Sequence, residues 1–311
     1  MSEKLAILFP GQGSQSVGML AELIASSDVV KATFNEAADA LGYDLIDLVL
    51  NGPSESLNET HRTQPALLTA SVAIYRHWLA NNGQTPDVLA GHSLGEYSAL
   101  VCAGVISLSD AVKLVEKRGL YMQEAVPAGT GSMAAVIGLA DDEVIKACKA
   151  SEKGEVVSAV NFNSPGQVVI AGSTDAVERA SLACKEAGAK RVLPLAVSVP
   201  SHCALMKPAA QKLAKDLETL TFSKPVVPVI NNVDVTIETD EEIIKNALVR
   251  QLHCPVRWTE TVQKFASNDI ITSFEFGPGK VLSGLAKRID RSVSCTSVND
   301  VASFEKALNT L

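Results

Sequence analysis

The chain has 311 residues, of which 47% are hydrophobic and 20% charged, with a formal net charge of -8. Length and apolar content suffice for one large domain or two medium ones around a sizeable core. The acidic balance argues against a nucleic-acid binder, which needs a basic surplus for phosphates, but leaves room for a local basic patch facing an acidic partner.

Leu5-Ala6-Ile7-Leu8-Phe9, ended by Pro10-Gly11, is a continuous apolar run of the kind buried on both faces of a parallel sheet. Helical segments follow, the clearest from about Pro65 to Asn81, with proline in its first turn and Gly83 after its end. A strand at 88–90, a helix of small residues from Glu96 to Ala103 and a helix from Asp110 to about Val126 come next. Strands alternating with helices predict a mostly parallel sheet covered on both faces. After Pro127 the order changes: strand 132–138, helix 141–150, strands 156–162 and 167–171 around the turn Asn163-Ser164-Pro165-Gly166, helix 174–187 and strand 191–195. That β-α-β-β-α-β order is the ferredoxin-like unit. We therefore expect an α/β fold with a ferredoxin-like subdomain at 127–197 inserted into a larger domain of residues 1–126 and 198–311. The larger part resumes with a helix from Met206 to Leu220, a strand 226–230, a helix 241–252, a strand 270–276, a helix to about Ile289, and one more strand and helix.

Six widely spaced cysteines without a C-x-x-C pair give neither a zinc site nor a disulfide framework, so reduced thiols in a cytoplasmic protein are expected. Met1-Ser2-Glu3-Lys4 leads directly into a strand without a signal-peptide core. The longest small-apolar stretch, 98–108, is too short to cross a bilayer, so no membrane association is expected.

The most informative motif is Gly91-His92-Ser93-Leu94-Gly95, a G-x-S-x-G between a strand and a helix. A serine on such a turn has its hydroxyl pushed outward, and the helix N-terminus offers backbone N–H groups to a developing anion. Such a nucleophile needs a base. Of the five histidines, His61 and His77 lie among helical segments, His92 adjoins the serine on a turn where neighbouring side chains diverge, and His253 follows a helix end. His202, in a turn between a strand-like run and the next helix, is the best placed. Gly11-Gln12-Gly13-Ser14-Gln15 closes the first strand and is expected to open a helix; it reads either as a broken dinucleotide fingerprint, lacking its third glycine, or as a loop lending N–H groups to an oxyanion. Arg118 falls in register with Ala111, Val115, Met122 and Ala125 on a helix face that should be buried. It must meet a carboxylate, either of the protein or of a substrate. Gly277-Pro278-Gly279-Lys280 lacks the spacing of a phosphate loop and reads as a tight turn. Cys203 beside His202 is a poor candidate nucleophile, because adjacent side chains diverge.

Phe9-Pro10-Gly11-Gln12-Gly13-Ser14-Gln15, Gln64-Pro65-Ala66, Gly91 to Glu96, Arg118-Gly119, Asn161 to Gln167, Pro200-Ser201-His202 and Phe276-Gly277-Pro278-Gly279 occur in the same order in malonyl-CoA:acyl carrier protein transacylases. The chain resembles that family over essentially its whole length, and most the stand-alone bacterial enzyme of fatty acid biosynthesis. The resemblance implies a larger domain like that of the α/β-hydrolases, Ser93 as the acylated nucleophile and His202 as its base. It implies an oxyanion hole from the backbone N–H groups of Gln12 and Leu94, and Arg118 on the malonyl carboxylate. Gln251 would orient His202 through its main-chain carbonyl, and Asn163 would line the cleft opposite the serine. Coenzyme A enters as a thioester substrate, and neither cofactor nor metal is implied. The expected partners are malonyl-CoA and acyl carrier protein, with the protein a monomer. Lys280, Lys287 and Arg288, with Lys190 and Arg191, form the candidate basic patch for an acidic carrier. The rival readings are a serine esterase or thioesterase, a non-catalytic carrier-binding module and a nucleotide-binding protein. The esterase would place its histidine nearer the C-terminus.

Overall fold

A computed structural model describes residues 4–196 and 199–310. Strand β1 (Leu5–Phe9) is followed by five helices: α1 (Ala21–Ser26), α2 (Asp28–Leu41), α3 (Leu45–Asn51), α4 (Ser54–Leu57) and α5 (Thr60–Ala80). Then come β2 (Val88–Gly91), α6 (Gly95–Cys102) and α7 (Leu108–Ala125). The middle of the chain supplies β3 (Gly131–Ile137), α8 (Asp141–Ser151), β4 (Val157–Ser164), β5 (Gln167–Ser173), α9 (Thr174–Glu186) and β6 (Arg191–Pro194). A 3₁₀ turn at Ala204–Met206 leads into α10 (Lys207–Thr219), β7 (Val229–Ile230), α11 (Glu241–Gln251) and α12 (Trp258–Ser267). The chain closes with β8 (Thr272–Phe276), α13 (Val281–Ile289), β9 (Ser294–Val298) and α14 (Val301–Leu308).

The fold is α/β, with a parallel sheet in the order β7-β2-β1-β8-β9 and a separate antiparallel sheet in the order β4-β5-β3-β6. Alternation along β1 explains its unbroken apolar sequence. Leu5, Ile7 and Phe9 enter one core with residues of α5 and α7, whereas Ala6 and Leu8 enter another with Trp258, Val262 and Phe265 of α12 and Leu282 and Leu285 of α13. Because β1 and β2 are parallel neighbours with Phe9 opposite Gly91, the loops leaving their C-terminal ends lie side by side. That edge is where open α/β sheets place ligands.

Four elements differ from the sequence expectation. Helix α5 begins at Thr60, so Pro65 sits in its second turn. Thr63 through Tyr75 are all buried, and this packing outweighs the backbone hydrogen bond that proline removes. The strand expected over 226–230 pairs only at Val229 and Ile230, directly after Pro225 and Pro228, which lack an N–H to donate. Helix α12 was not anticipated, although Trp258, Val262 and Phe265 repeat at helical spacing and bury completely. The Gly11–Gln15 loop does not open a helix, since α1 starts only at Ala21. The loop therefore lacks the helix N-terminus that a dinucleotide site requires. Of the expected domain boundaries, the one at 197/198 lies outside the described residues, as do Met1–Glu3 and Leu311. Among the described residues no helix is long and apolar enough to cross a membrane.

Candidate active site

Ser93 stands between β2 and α6 with φ of 53°, in the left-handed region. For a non-glycine residue this conformation costs roughly 1–3 kcal/mol and persists only where the surroundings over-determine it. The flanking glycines are required by contact. A Cβ on Gly91 would lie 1.9 Å from the Gly95 carbonyl, and one on Gly95 would lie 2.0 Å from the carbonyl oxygen of Phe9. Strand β1 thus presses directly on the start of α6, and only hydrogen atoms fit between them.

His202 also has a positive φ, 64°, and is 3% exposed. Its Nε2 lies 2.8 Å from Ser93 Oγ, and its Nδ1 lies 2.6 Å from the main-chain oxygen of Gln251. A carbonyl oxygen only accepts, so Nδ1 carries the proton and Nε2 presents its lone pair to the hydroxyl. Burial, reinforced by the positive charge of Arg118, lowers the imidazole pKa to about 3. His202 is therefore neutral at physiological pH, the form that accepts a proton. The pair can turn a serine hydroxyl into a nucleophile.

The hydroxyl opens on a cavity of about 410 Å³, lined among others by Gln12, Leu94, Arg118, Met133, Asn161 and Leu195. The backbone N–H groups of Gln12 and Leu94 meet no acceptor among the described residues, which leaves them free for an anion. Among the described residues, Arg118, 2% exposed, has no carboxylate in contact. Its Nη1 donates to Gln64 Oε1 at 2.8 Å and its Nη2 to Gln251 Oε1 at 3.2 Å, while Nε is buried without a partner. Tyr97 lies beneath the guanidinium at 5.4 Å. The protein-carboxylate alternative for Arg118 thus lacks its contact, and a buried cation faces the cavity with donors to spare. Gly119 lets α7 approach this closely: a Cβ there would lie 2.5 Å from the Cα of His61.

Asn163 does not line this cavity. Its Oδ1 is 2.8 Å from Nε2 of His92, which packs against Trp258, and the asparagine on the cavity wall is Asn161. The register shifts in β4, between Ala159 and Asn161 and between Phe162 and Ser164, break the simple alternation from which the two positions would be equivalent. His61 lies against Gln123 and Glu59, and His77 bonds Ser27 and stacks on Phe304, so neither reaches the serine. Burial pushes the Cys203 thiol up to about 11, and its Sγ donates to the Pro200 carbonyl, which makes it inert. The N–H groups of Leu282 and Ser283 at the start of α13 are taken by the Glu275 carboxylate, so the Gly277–Lys280 turn has none to offer a phosphate there. In the candidate basic patch, Arg288 donates to Gln167 Oε1 across to the antiparallel sheet.

Three buried residues complete the site without having been singled out for a role. Gln64 holds Arg118, Glu96 follows the serine motif on α6, and Asn232 reaches the Ser93 turn from beyond β7. Gln251 proves to be more than a carbonyl. Its Nε2 lies 2.9 Å from the Ser93 carbonyl oxygen and 2.8 Å from Glu96 Oε2.

Comparison with known proteins agrees with this geometry. Residues 7–301 match the acyl transferase domain family. The chain is 64% identical over 303 residues to the malonyl CoA-acyl carrier protein transacylase of Haemophilus influenzae, covering 97% of each chain. It is 61% identical over 305 residues to the protein of that name from Escherichia coli K12, covering 98% of this chain and 99% of the other. Among solved structures, an acyl carrier protein S-malonyltransferase from Vibrio cholerae superimposes with a TM-score of 0.96 at 64% identity, over 98% of this chain and 99% of that one. A malonyl-transacylase solved with its type II PKS acyl-carrier protein gives 0.98 at 60% identity, over 99% and 100%. The chain belongs to the acyl transferase family, within the group of the malonyl CoA-acyl carrier protein transacylases.

Proposed function

We propose that this chain transfers a malonyl group from malonyl-CoA to the phosphopantetheine thiol of acyl carrier protein through a malonyl-serine ester, supplying fatty acid biosynthesis. The observation that carries the reading is the cavity itself: a serine–imidazole pair at 2.8 Å shares it with a buried arginine that no carboxylate of the described residues contacts.

In the first step Ser93 Oγ attacks the thioester carbonyl carbon while His202 Nε2 takes the hydroxyl proton. The oxyanion is held by the N–H groups of Gln12 and Leu94, each worth on the order of 3 kcal/mol in comparable sites. Collapse expels coenzyme A, whose sulfur receives the proton from His202. The second step runs the same path with the carrier thiol: it yields its proton to Nε2, attacks the malonyl-serine carbonyl and releases Ser93, which recovers a proton. The Gln251 carbonyl keeps the imidazole in one tautomer throughout, so the pair works as a dyad. Arg118 binds the malonyl carboxylate. Thioester and oxyester lie close in energy, so the exchange requires neither ATP nor a metal.

The β3-α8-β4-β5-α9-β6 order and the antiparallel arrangement β4-β5-β3-β6 support a ferredoxin-like subdomain at 127–197, inserted into an α/β-hydrolase-like domain of 1–126 and 198–311. The subdomain contributes Met133, Asn161 and Leu195 to the cavity wall. A cytoplasmic monomer that docks an acidic carrier at Lys280, Lys287 and Arg288 completes the proposal. Incubation with labelled malonyl-CoA tests it. Label should pass to holo-carrier and remain on the protein in its absence, whereas rapid release of free malonate without carrier indicates a hydrolase.

A further inference from the structure

Ser93 and His202 both occupy strained backbone conformations, so something must hold each in place. The β1–β2 contact explains why the turn is tight but not what fixes its orientation relative to the imidazole. A chain of buried hydrogen bonds behind the site does. Asn232, 1% exposed, spans the Ser93 turn with its amide: Oδ1 accepts from the Ser93 N–H at 2.7 Å, and Nδ2 donates to the Gly91 oxygen at 2.7 Å. The backbone N–H of Asn232 donates at 3.0 Å to Glu96 Oε2. That same oxygen accepts from Gln251 Nε2 at 2.8 Å, and the Gln251 carbonyl accepts from His202 Nδ1. One carboxylate oxygen therefore ties the segment behind the nucleophile to the residue that orients the base.

We propose that Asn232 and Glu96 are positioning residues that set the distance and angle between Ser93 and His202. The inference rests on the acyl-transfer reading. Neither residue lies between the serine and the imidazole, so their effect acts through placement of the two reacting atoms. A misplacement of about 1 Å between such groups costs on the order of 100-fold in rate. A simple packing role would instead lower the folded fraction and leave the rate per folded molecule unchanged. Glu96 sits on the helix that follows Ser93, and Asn232 and Gln251 come from beyond β7 and from α11, so the oxygen links elements distant in sequence. A glutamine at 96 can accept both bonds at its amide oxygen, so geometry can be separated from charge.

The test measures single-turnover acylation of folded protein by malonyl-CoA, the folded fraction being taken from circular dichroism. The wild-type chain is run first, and its failure to acylate at Ser93 overturns the acyl-transfer reading itself. Given wild-type acylation, Asn232→Ala should slow the step on the order of 100-fold with an unaltered KM for malonyl-CoA. Asn232→Asp keeps the acceptor for Ser93 N–H but loses the donor to Gly91, and should fall between. Glu96→Ala should be slow, and Glu96→Gln should recover most of the loss. The double alanine variant should be less impaired than the product of the single losses, because both act through one brace. Wild-type acylation rates in the folded Asn232 variants, losses confined to KM, or independent multiplicative losses would each overturn the proposal.

Discussion

Replacing Arg118 by alanine should separate malonyl from acetyl transfer. The guanidinium is 2% exposed and spends two of its N–H donors on amide oxygens of Gln64 and Gln251. An amide oxygen carries only partial charge, so the cation lacks full compensation. Glu96, whose carboxyl acts on the guanidinium through space, is itself pushed by burial up to about 7 and offers only part of a charge near neutrality. A malonyl carboxylate entering the cavity supplies that missing charge through two parallel hydrogen bonds. Breaking a buried pair of this kind costs about 3–5 kcal/mol. Since 1.36 kcal/mol is tenfold, the low end, about 3 kcal/mol, lowers kcat/KM for malonyl-CoA on the order of 100-fold. Acetyl-CoA leaves the wild-type cation unpaired, so its transfer should hold or rise when the cation is removed. Arg118→Lys should rescue malonyl transfer only partly, because an ammonium lacks the planar fork. The assay compares kcat/KM for the two thioesters with the same carrier protein. Parallel loss of both activities, or an unfolded Arg118→Ala variant, would make Arg118 a structural residue and refute the reasoning.

Three further outcomes follow from the same geometry. His202→Ala should slow acylation by roughly 10²–10⁴-fold, while His61→Ala and His77→Ala leave it near wild type; equal effects at all three would remove His202 as the base. With a pKa lowered to about 3, His202 stays neutral through mildly acidic pH, so the acylation rate should change little between pH 7.5 and 5.5 and fall only as pH approaches the folded pKa. An ordinary imidazole would lose about tenfold over that interval, and such a loss contradicts the burial argument. The unfolded chain binds the His202 proton near pH 6.5, so stability held by the neutral imidazole is lost as pH falls from there toward the folded pKa. Gly95→Ala places a methyl 2.0 Å from the Phe9 oxygen and should cost about 3 kcal/mol or more in denaturant unfolding; an unchanged midpoint would remove the close-contact explanation of the motif.

Much of the fold was legible because burial leaves a pattern. Leu5–Phe9 is apolar at every position because Ile7 and Leu8 face different cores, and Arg118 stands out because it shares a helix face with Val115 and Met122. The spacing of glycines around Ser93 reports a contact that only glycine permits. What the sequence did not disclose is which polar residues meet across long separations. Asn232 lies 139 residues from Ser93, and Gln251 lies 155 from Glu96, and nothing local to either marks it as a partner. Asn161, not the expected Asn163, lines the cavity because bulges, invisible in composition, re-aim β4. Pro65 shows the opposite failure: a strong local signal for a helix start is overridden by packing on every side of α5. The β-α-β-β-α-β order was readable because each element is short and bounded by turn residues.

Mass spectrometry of the intact protein after brief exposure to malonyl-CoA, followed by peptide mapping, tests the central claim most directly. The account predicts the added mass of one malonyl group, located on the peptide that contains Ser93, and no addition to Ser93→Ala. An unlabelled wild-type protein, or labelling that persists in Ser93→Ala, would contradict it.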